Sequence, residues 1–248
     1  MRIAVITAMP EETRAIVKAL GRARKVRLGR LTVWQGAMAE QEILVTEAGM
    51  GFGNAAAAAE LLIGNARPDM VISTGFCGGI SADLQVGDIV VATALAVVSG
   101  DDCDEVPVEI PAACRNFIVR QAAAGLRVFG GLFAGTPVLM QKSRLAELLP
   151  PDAHFPVVEM ESAAIAIVCV EQGIPLCGIR AVSDPSDEEL DFSLDEFCDA
   201  QMRIRIFRVL LTVARKPRII PQLIRLARNS RVAADSLTRA FRQLMAVL

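Results

Sequence analysis

Histidine, tryptophan and tyrosine are nearly missing from this chain, which has one His (His154), one Trp and no Tyr in 248 residues. One imidazole, with six cysteines that form no CxxC pair, argues against a structural zinc site, and no metal or organic cofactor is expected. An aromatic content of 4% leaves no stacking array for single-stranded nucleic acid, and a net charge of −2 gives no electrostatic reason for one. No apolar run reaches the ~18 to 20 residues of a membrane span, and the opening Met-Arg-Ile-Ala-Val-Ile is too short for a signal peptide's apolar region. There is no Gly-Lys-Ser/Thr after a glycine loop and no correctly spaced GxGxxG, which disfavours nucleoside triphosphates and NAD. Free thiols are the simpler state for the cysteines, five of which sit in apolar or helix-like surroundings, and a reducing cytoplasm suits them.

What remains is an alternation of short apolar runs and helix-period segments. The spacing predicts strands over 3–6, 31–35, 42–46, 70–74, 89–92, 126–134, 157–158 and 176–182. Helices are predicted over 11–20, 54–63, 112–125, 142–148, 160–172, 192–212 and 223–248. This pattern implies an α/β fold built as a single domain, with a helical C-terminal extension. In such sheets ligands collect beyond the carboxyl ends of strands. The unusual clusters fall there: Glu12, Gly75 to Gly79, Glu159 to Glu161, and Asp184.

Each cluster has a structural reading beside a functional one. Glycine runs serve strained turns as readily as ligands. Glu159-Met160-Glu161 places two carboxylates and a thioether between a buried strand and an apolar helix, where acids also suit a helix N-terminus. Ser183-Asp184 puts a hydroxyl and an acid just past another buried strand, where they could simply cap a turn.

Taken in order, Ala8-Met9-Pro10-Glu11-Glu12, Gly49-Met50-Gly51, Thr74 to Gly79, Val86-Gly87-Asp88, Val158 to Glu161, Arg180 to Asp184 and Ser193 to Phe197 resemble the nucleoside phosphorylase and nucleosidase superfamily. The resemblance is greatest to the methylthioadenosine/S-adenosylhomocysteine nucleosidases and spans roughly residues 1–200. It implies a central twisted, mixed β-sheet flanked by helices, with a purine nucleoside lying across the strand ends of a homodimer. It also implies that Glu12 activates water, that Glu161 binds ribose hydroxyls beside Glu159, and that Met9 and Met160 contact substrate, Met160 from beneath the sugar. Asp184 would serve the purine with Ser183 orienting it, and Phe76, Cys77, Val138 and Leu139 would wall the purine pocket. Phe76 and Leu194 depart from the family pattern, where a small residue and an aromatic wall are usual, so the substituent on ribose C5′ does not carry over.

The chemistry requires such types. Breaking an N-glycosidic bond leaves a cation-like sugar and a basic purine, so anionic groups must face the sugar and an acid must face the base. Hydrolysis is expected over phosphorolysis, because Ala8, Met9, Pro10 and Ser73 stand where the resemblance implies that a phosphate site would carry arginines for the dianion. The alternatives are a phosphorylase, a nucleosidase for lipid-linked substrates of the adenosylhopane type, and a silent nucleoside-binding or membrane-associated protein.

Residues 201–248 form the extension. From Arg203 onward lie eleven of the 26 basic residues and one of the 28 acids, Asp235. A basic amphipathic helix can lie on an anionic membrane at the inner face, or its apolar side can pack on the protein while its arginines pair with the acidic body.

Overall fold

The computed structural model describes residues 1–121, 125–138, 140–187, 197, 212 and 215–248, apart from the side chains of residues 120 and 121. Leu194, Leu139 and the helix expected over 192–212, apart from residues 197 and 212, lie outside the described residues.

Strand β1 (Arg2–Thr7) is apolar on both faces, which is the pattern of a strand covered on both sides. Its Ala4 and Ile6 join one buried cluster, while Ile3 and Val5 join another. The first cluster is closed by α2 (Phe52–Ala66) and α5 (Ser162–Gln172) through Ala55, Ala59, Leu62, Ala163 and Cys169. The second is closed by α1 (Pro10–Leu20), α3 (Ala112–Gln121) and α6 (Ile220–Met245) through Ile16, Ala19, Phe117, Leu237 and Phe241.

The remaining strands are β2 (Ala23–Leu28), β3 (Leu31–Met38), β4 (Gln41–Glu47), β5 (Met70–Gly79), β6 (Ile89–Ser99), β7 (Asp102–Glu105), β8 (Val128–Gly135), β9 (Val157–Glu159) and β10 (Leu176–Asp184). A short helix, α4 (Lys142–Leu148), lies between β8 and β9. Among the described residues the ten strands form one mixed sheet in the order β10-β6-β8-β9-β5-β1-β4-β3-β2, with β7 on β6. β10 also pairs with β5, so β5, β10, β6, β8 and β9 close into a ring. The mixed sheet between helical layers is the expected architecture.

Three details differ from expectation. Gly75 to Gly79 continues β5 instead of turning away from it, because the run pairs with β10 and then with β9. β2 was not anticipated, since Arg24, Lys25 and Arg27 leave only Val26 and Leu28 to face the core, and such charges are what keep an exposed edge from pairing with another chain. β7, with three acids in four residues, was hidden for the same reason.

The second half of α6 packs on the body. Leu237, Ala240, Phe241 and Leu244 are fully buried, Thr238 donates to the Ala15 carbonyl at 3.0 Å, and Arg242 donates to the carbonyls of Ala19 and Lys18 at 3.1 and 2.9 Å. Those two carbonyls end α1, where a cation also suits the helix dipole. No helix among the described residues is long and apolar enough to cross a membrane.

Candidate active site

The site begins where β5 parts from β1. Their register runs only from Ile3–Met70 to Ile6–Ser73, and beyond Ser73 the two strand ends separate. Glu12 enters this gap from the first turn of α1. Pro10 begins that helix, and Glu12 folds back so that its Oε2 accepts from the N–H groups of Ala8 and Met9 at 2.8 and 2.9 Å, as in half of a capping box. Its Oε1 accepts from the N–H of Phe76 on β5 at 2.8 Å, a tie across the gap that a simple helix cap would not make. Gly75 allows the approach, since a Cβ there would collide with Glu12 Oε1 and Arg180 Nη1. Burial raises the Glu12 pKa against the lowering influence of Arg180 and the three N–H groups.

Arg180, on β10, is the largest fully buried side chain. Its Nη2 donates to Glu159 at 2.6 Å, to Glu161 at 3.3 Å, and to the hydroxyls of Ser162 and Ser73 at 3.1 and 3.3 Å. Glu159 Oε2 also accepts from the N–H groups of Glu161 and Ser162, the start of α5, so this acid holds the arginine and the helix together. Glu161 Oε1 accepts from the N–H of Gly51, which opens α2, at 2.9 Å. One guanidinium therefore faces three buried carboxylates, Glu12, Glu159 and Glu161, and cannot neutralise them all. The imbalance shows in Glu161: burial pushes its pKa up to about 7, helped by Glu159 and Glu12 and opposed by Arg180. Excess negative charge gathered in a dry site is suited to a developing cation.

Across β5 stands the second acidic group. A β-bulge between Val182 and Asp184 lets Asp184 face Gly78, whose other neighbour is Val158 of β9, next to Glu159. The two acidic clusters thus flank the end of a single strand. Gly78 is required for that approach, because a Cβ would lie 2.7 Å from Asp184 Oδ2 and 2.9 Å from Lys142 Cε. Ser183 Oγ donates to Asp184 Oδ1 at 2.7 Å and lies 3.3 Å from the Cys77 carbonyl. Asp184 Oδ2 pairs with Lys142 Nζ at 2.5 Å.

Phe76 and Cys77 are buried on β5 between these clusters, and burial pushes the Cys77 thiol far up, which makes it an inert wall and not a nucleophile. Met9 and Met160 are half-buried at the starts of α1 and α5. The structure brings together Glu12, Glu159 and Glu161 around Arg180, with Phe76, Cys77, Ser183 and Asp184 alongside. Val138 follows β8 and is 63% exposed. Sequence reasoning missed the roles of two residues. Arg180 appeared only inside a motif, and no local signal marked its side chain as the hub of three acids. Lys142 reaches Asp184 across 42 positions, and only the fold joins them. Among the described residues no group of His, Cys, Asp or Glu could hold a metal ion.

The family model of the Phosphorylase superfamily matches residues 2–215. A 5′-methylthioadenosine/S-adenosylhomocysteine nucleosidase of Bacillus cereus is 32% identical over 218 residues, covering 80% of this chain and 92% of that protein. Its counterpart from an Exiguobacterium species is 30% identical over 215 residues, covering 80% and 91%. Among solved structures, the Neisseria meningitidis 5′-methylthioadenosine/S-adenosylhomocysteine nucleosidase in complex with methylthio-immucillin-A matches with a TM-score of 0.74 and 24% identity over 100% of this chain and 99% of that one. The native futalosine hydrolase of Helicobacter pylori matches with a TM-score of 0.74 and 18% identity over 100% and 98%. The fold, the ordered motifs and the family match agree, and the chain belongs to the phosphorylase superfamily.

Proposed function

We propose that this protein hydrolyses the N-glycosidic bond of an adenosine derivative such as methylthioadenosine or S-adenosylhomocysteine and releases adenine. One observation carries the reading: Glu12 and Glu161 converge on a single buried arginine at one side of the β5 end, and Asp184 stands at the other side of the same end. A nucleoside laid across that end has its sugar over the first group and its purine beside the second. Glu12 takes a proton from the attacking water. Both of its oxygens already accept N–H groups, yet a carboxylate has about four acceptor sites, which leaves room for the water. Glu161 holds the ribose hydroxyls and favours the cation-like sugar, with Met160 beneath it. Asp184, oriented by Ser183, serves the purine, while Phe76 and Cys77 wall the base. Met9 lies at the sugar side, and Glu159 acts from below by holding Arg180.

Water is favoured over phosphate because the Nη2 of Arg180 is already engaged by Glu159 and Glu161, and the three carboxylates around that arginine would repel a dianion. The test is incubation of purified protein with methylthioadenosine, S-adenosylhomocysteine, adenosine and inosine, with and without phosphate. Adenine release independent of phosphate is expected; phosphate-dependent formation of a ribose 1-phosphate would transfer the case to a phosphorylase, and binding without turnover would leave a silent nucleoside binder.

The finer expectations belong to the same proposal: a cytoplasmic homodimer whose fold occupies residues 1–200, with 201–248 as an extension. Its helix α6 exposes Ile220, Ile224 and Val232 beside Arg225, Arg228 and Arg231 over its first half, which supports contact of that half with an anionic membrane surface. Sedimentation equilibrium checks the dimer.

A further inference from the structure

The purine-side acid has a partner that nothing in its role accounts for. Lys142 Nζ lies 2.5 Å from Asp184 Oδ2, 3.3 Å from the Asp184 carbonyl and 2.6 Å from the Pro185 carbonyl, and its side chain is 9% exposed. This is a costly place for a cation, since it is buried and stands at the first position of α4, where the helix dipole opposes positive charge. A methionine could fill the same volume without either cost.

The position matters because of what Asp184 must do. A purine leaves readily only if its N7 gains a proton as the glycosidic bond breaks. In this structure each Asp184 oxygen is turned to a group of the protein that can donate, Oδ1 to the Ser183 hydroxyl and Oδ2 to the Lys142 ammonium. Of its two donors, a serine hydroxyl is far too weak an acid to give one up, whereas an ammonium can protonate a departing purine anion.

We propose that Lys142 supplies the leaving-group proton and acts through Asp184; the proposal rests on the nucleosidase reading above. As the C1′–N9 bond breaks, its electron pair goes to the purine. The carboxyl of Asp184 takes a proton from Lys142 Nζ and gives one to N7. Water forms the new C1′–O bond and loses its proton to Glu12. The cycle leaves Lys142 one proton short and Glu12 one proton over, and exchange with solvent restores both. Lys142 does not touch the base and is a positioning residue of the purine side that also holds the proton.

A residue that merely anchors the end of β10 would affect every substrate alike, whereas a proton supplier matters only where the leaving group needs a proton. The wild type, K142M, K142Q and K142R are therefore compared on methylthioadenosine and on a 4-nitrophenyl 5-methylthioriboside, whose nitrophenolate departs without protonation. For methylthioadenosine, kcat of K142M and K142Q is expected to fall by about 100-fold, in the range of general acid catalysis, with KM within about threefold. Turnover of the nitrophenyl riboside should stay within about threefold, and K142R, whose guanidinium keeps the charge but does not release a proton, should lose turnover of methylthioadenosine as K142M does. Equal losses on both substrates, or no loss on either, would overturn the proposal. Should the wild type release no adenine, the nucleosidase reading fails first and this inference goes with it. Thermal unfolding of each variant identifies any that has lost its fold, and K142Q keeps a donor for the neighbouring carbonyls.

Discussion

Glu12 has its two oxygens unequally used: Oε2 accepts two N–H groups of its own turn, and Oε1 accepts one from β5. In Glu12→Gln the amide oxygen can keep the pair from Ala8 and Met9, while the new NH2 faces the N–H of Phe76 and leaves it unpaired. The variant is expected to lose about 1–3 kcal/mol of stability for that orphaned donor, and kcat should fall by about 10²- to 10⁴-fold for the missing base. Calorimetric titration with adenine should still show binding, and chemical denaturation reads the stability. Glu161 predicts a pH dependence. Its pKa in the fold is about 7 against an ordinary value of 4.5, so the folded chain keeps a proton that the unfolded chain releases. Stability from this group is fully present below 4.5 and is lost as pH rises through about 7. The melting temperature of the wild type should fall between pH 5 and 7.5, and Glu161→Gln should flatten that slope. The same ionisation gives kcat/KM a rising limb with its midpoint near pH 7, because that ratio reports the free enzyme. At this scale Glu12, Glu161 and Asp184 were legible as acids at strand ends, since polar residues after apolar runs have few reasons to be there. Arg180 was not, because a charged residue within a strand pattern gives no sign of which way it faces.

Among the elements, β5 decides the most. Its first four residues pair with β1 and its last two with β9, while β10 follows it along most of its length. This change of partner opens the gap that Glu12 fills and brings the glycine run into the sheet. The run was legible as special but was placed beyond the strand's end, since glycine signals close approach and turning alike. Gly75→Ala tests the distinction. Its Cβ would strike Glu12 and Arg180, both held by several hydrogen bonds and unable to retreat. An overpacking cost of about 1–3 kcal/mol is expected in chemical denaturation, together with a larger loss of kcat/KM than any exposed glycine would give. Gly53, with nothing within 4 Å of a would-be Cβ, is the control. Unchanged stability and activity would count against the arrangement described.

For the molecule as a whole, the basic extension shows why composition alone leaves two answers open. Its second half is part of the core, with Phe241 fully buried between α1 and the sheet. Phe241→Ala is expected to cost about 3–5 kcal/mol, read as an earlier denaturation midpoint. Its first half keeps exposed isoleucines and arginines, and there the intact protein should co-sediment with phosphatidylglycerol vesicles more than with neutral ones, and less as salt rises. Equal binding to both would remove the membrane contact. The sequence by itself determined the α/β class, the order of most elements and the acids at strand ends, because apolar periodicity and local polarity are short-range properties written along the chain. Tertiary structure alone decided that three glutamates share one arginine, that Lys142 reaches Asp184, and that the last helix is half core and half surface. Those are contacts between residues tens to hundreds of positions apart, and their energies come from burial and charge that exist only once the sheet has closed.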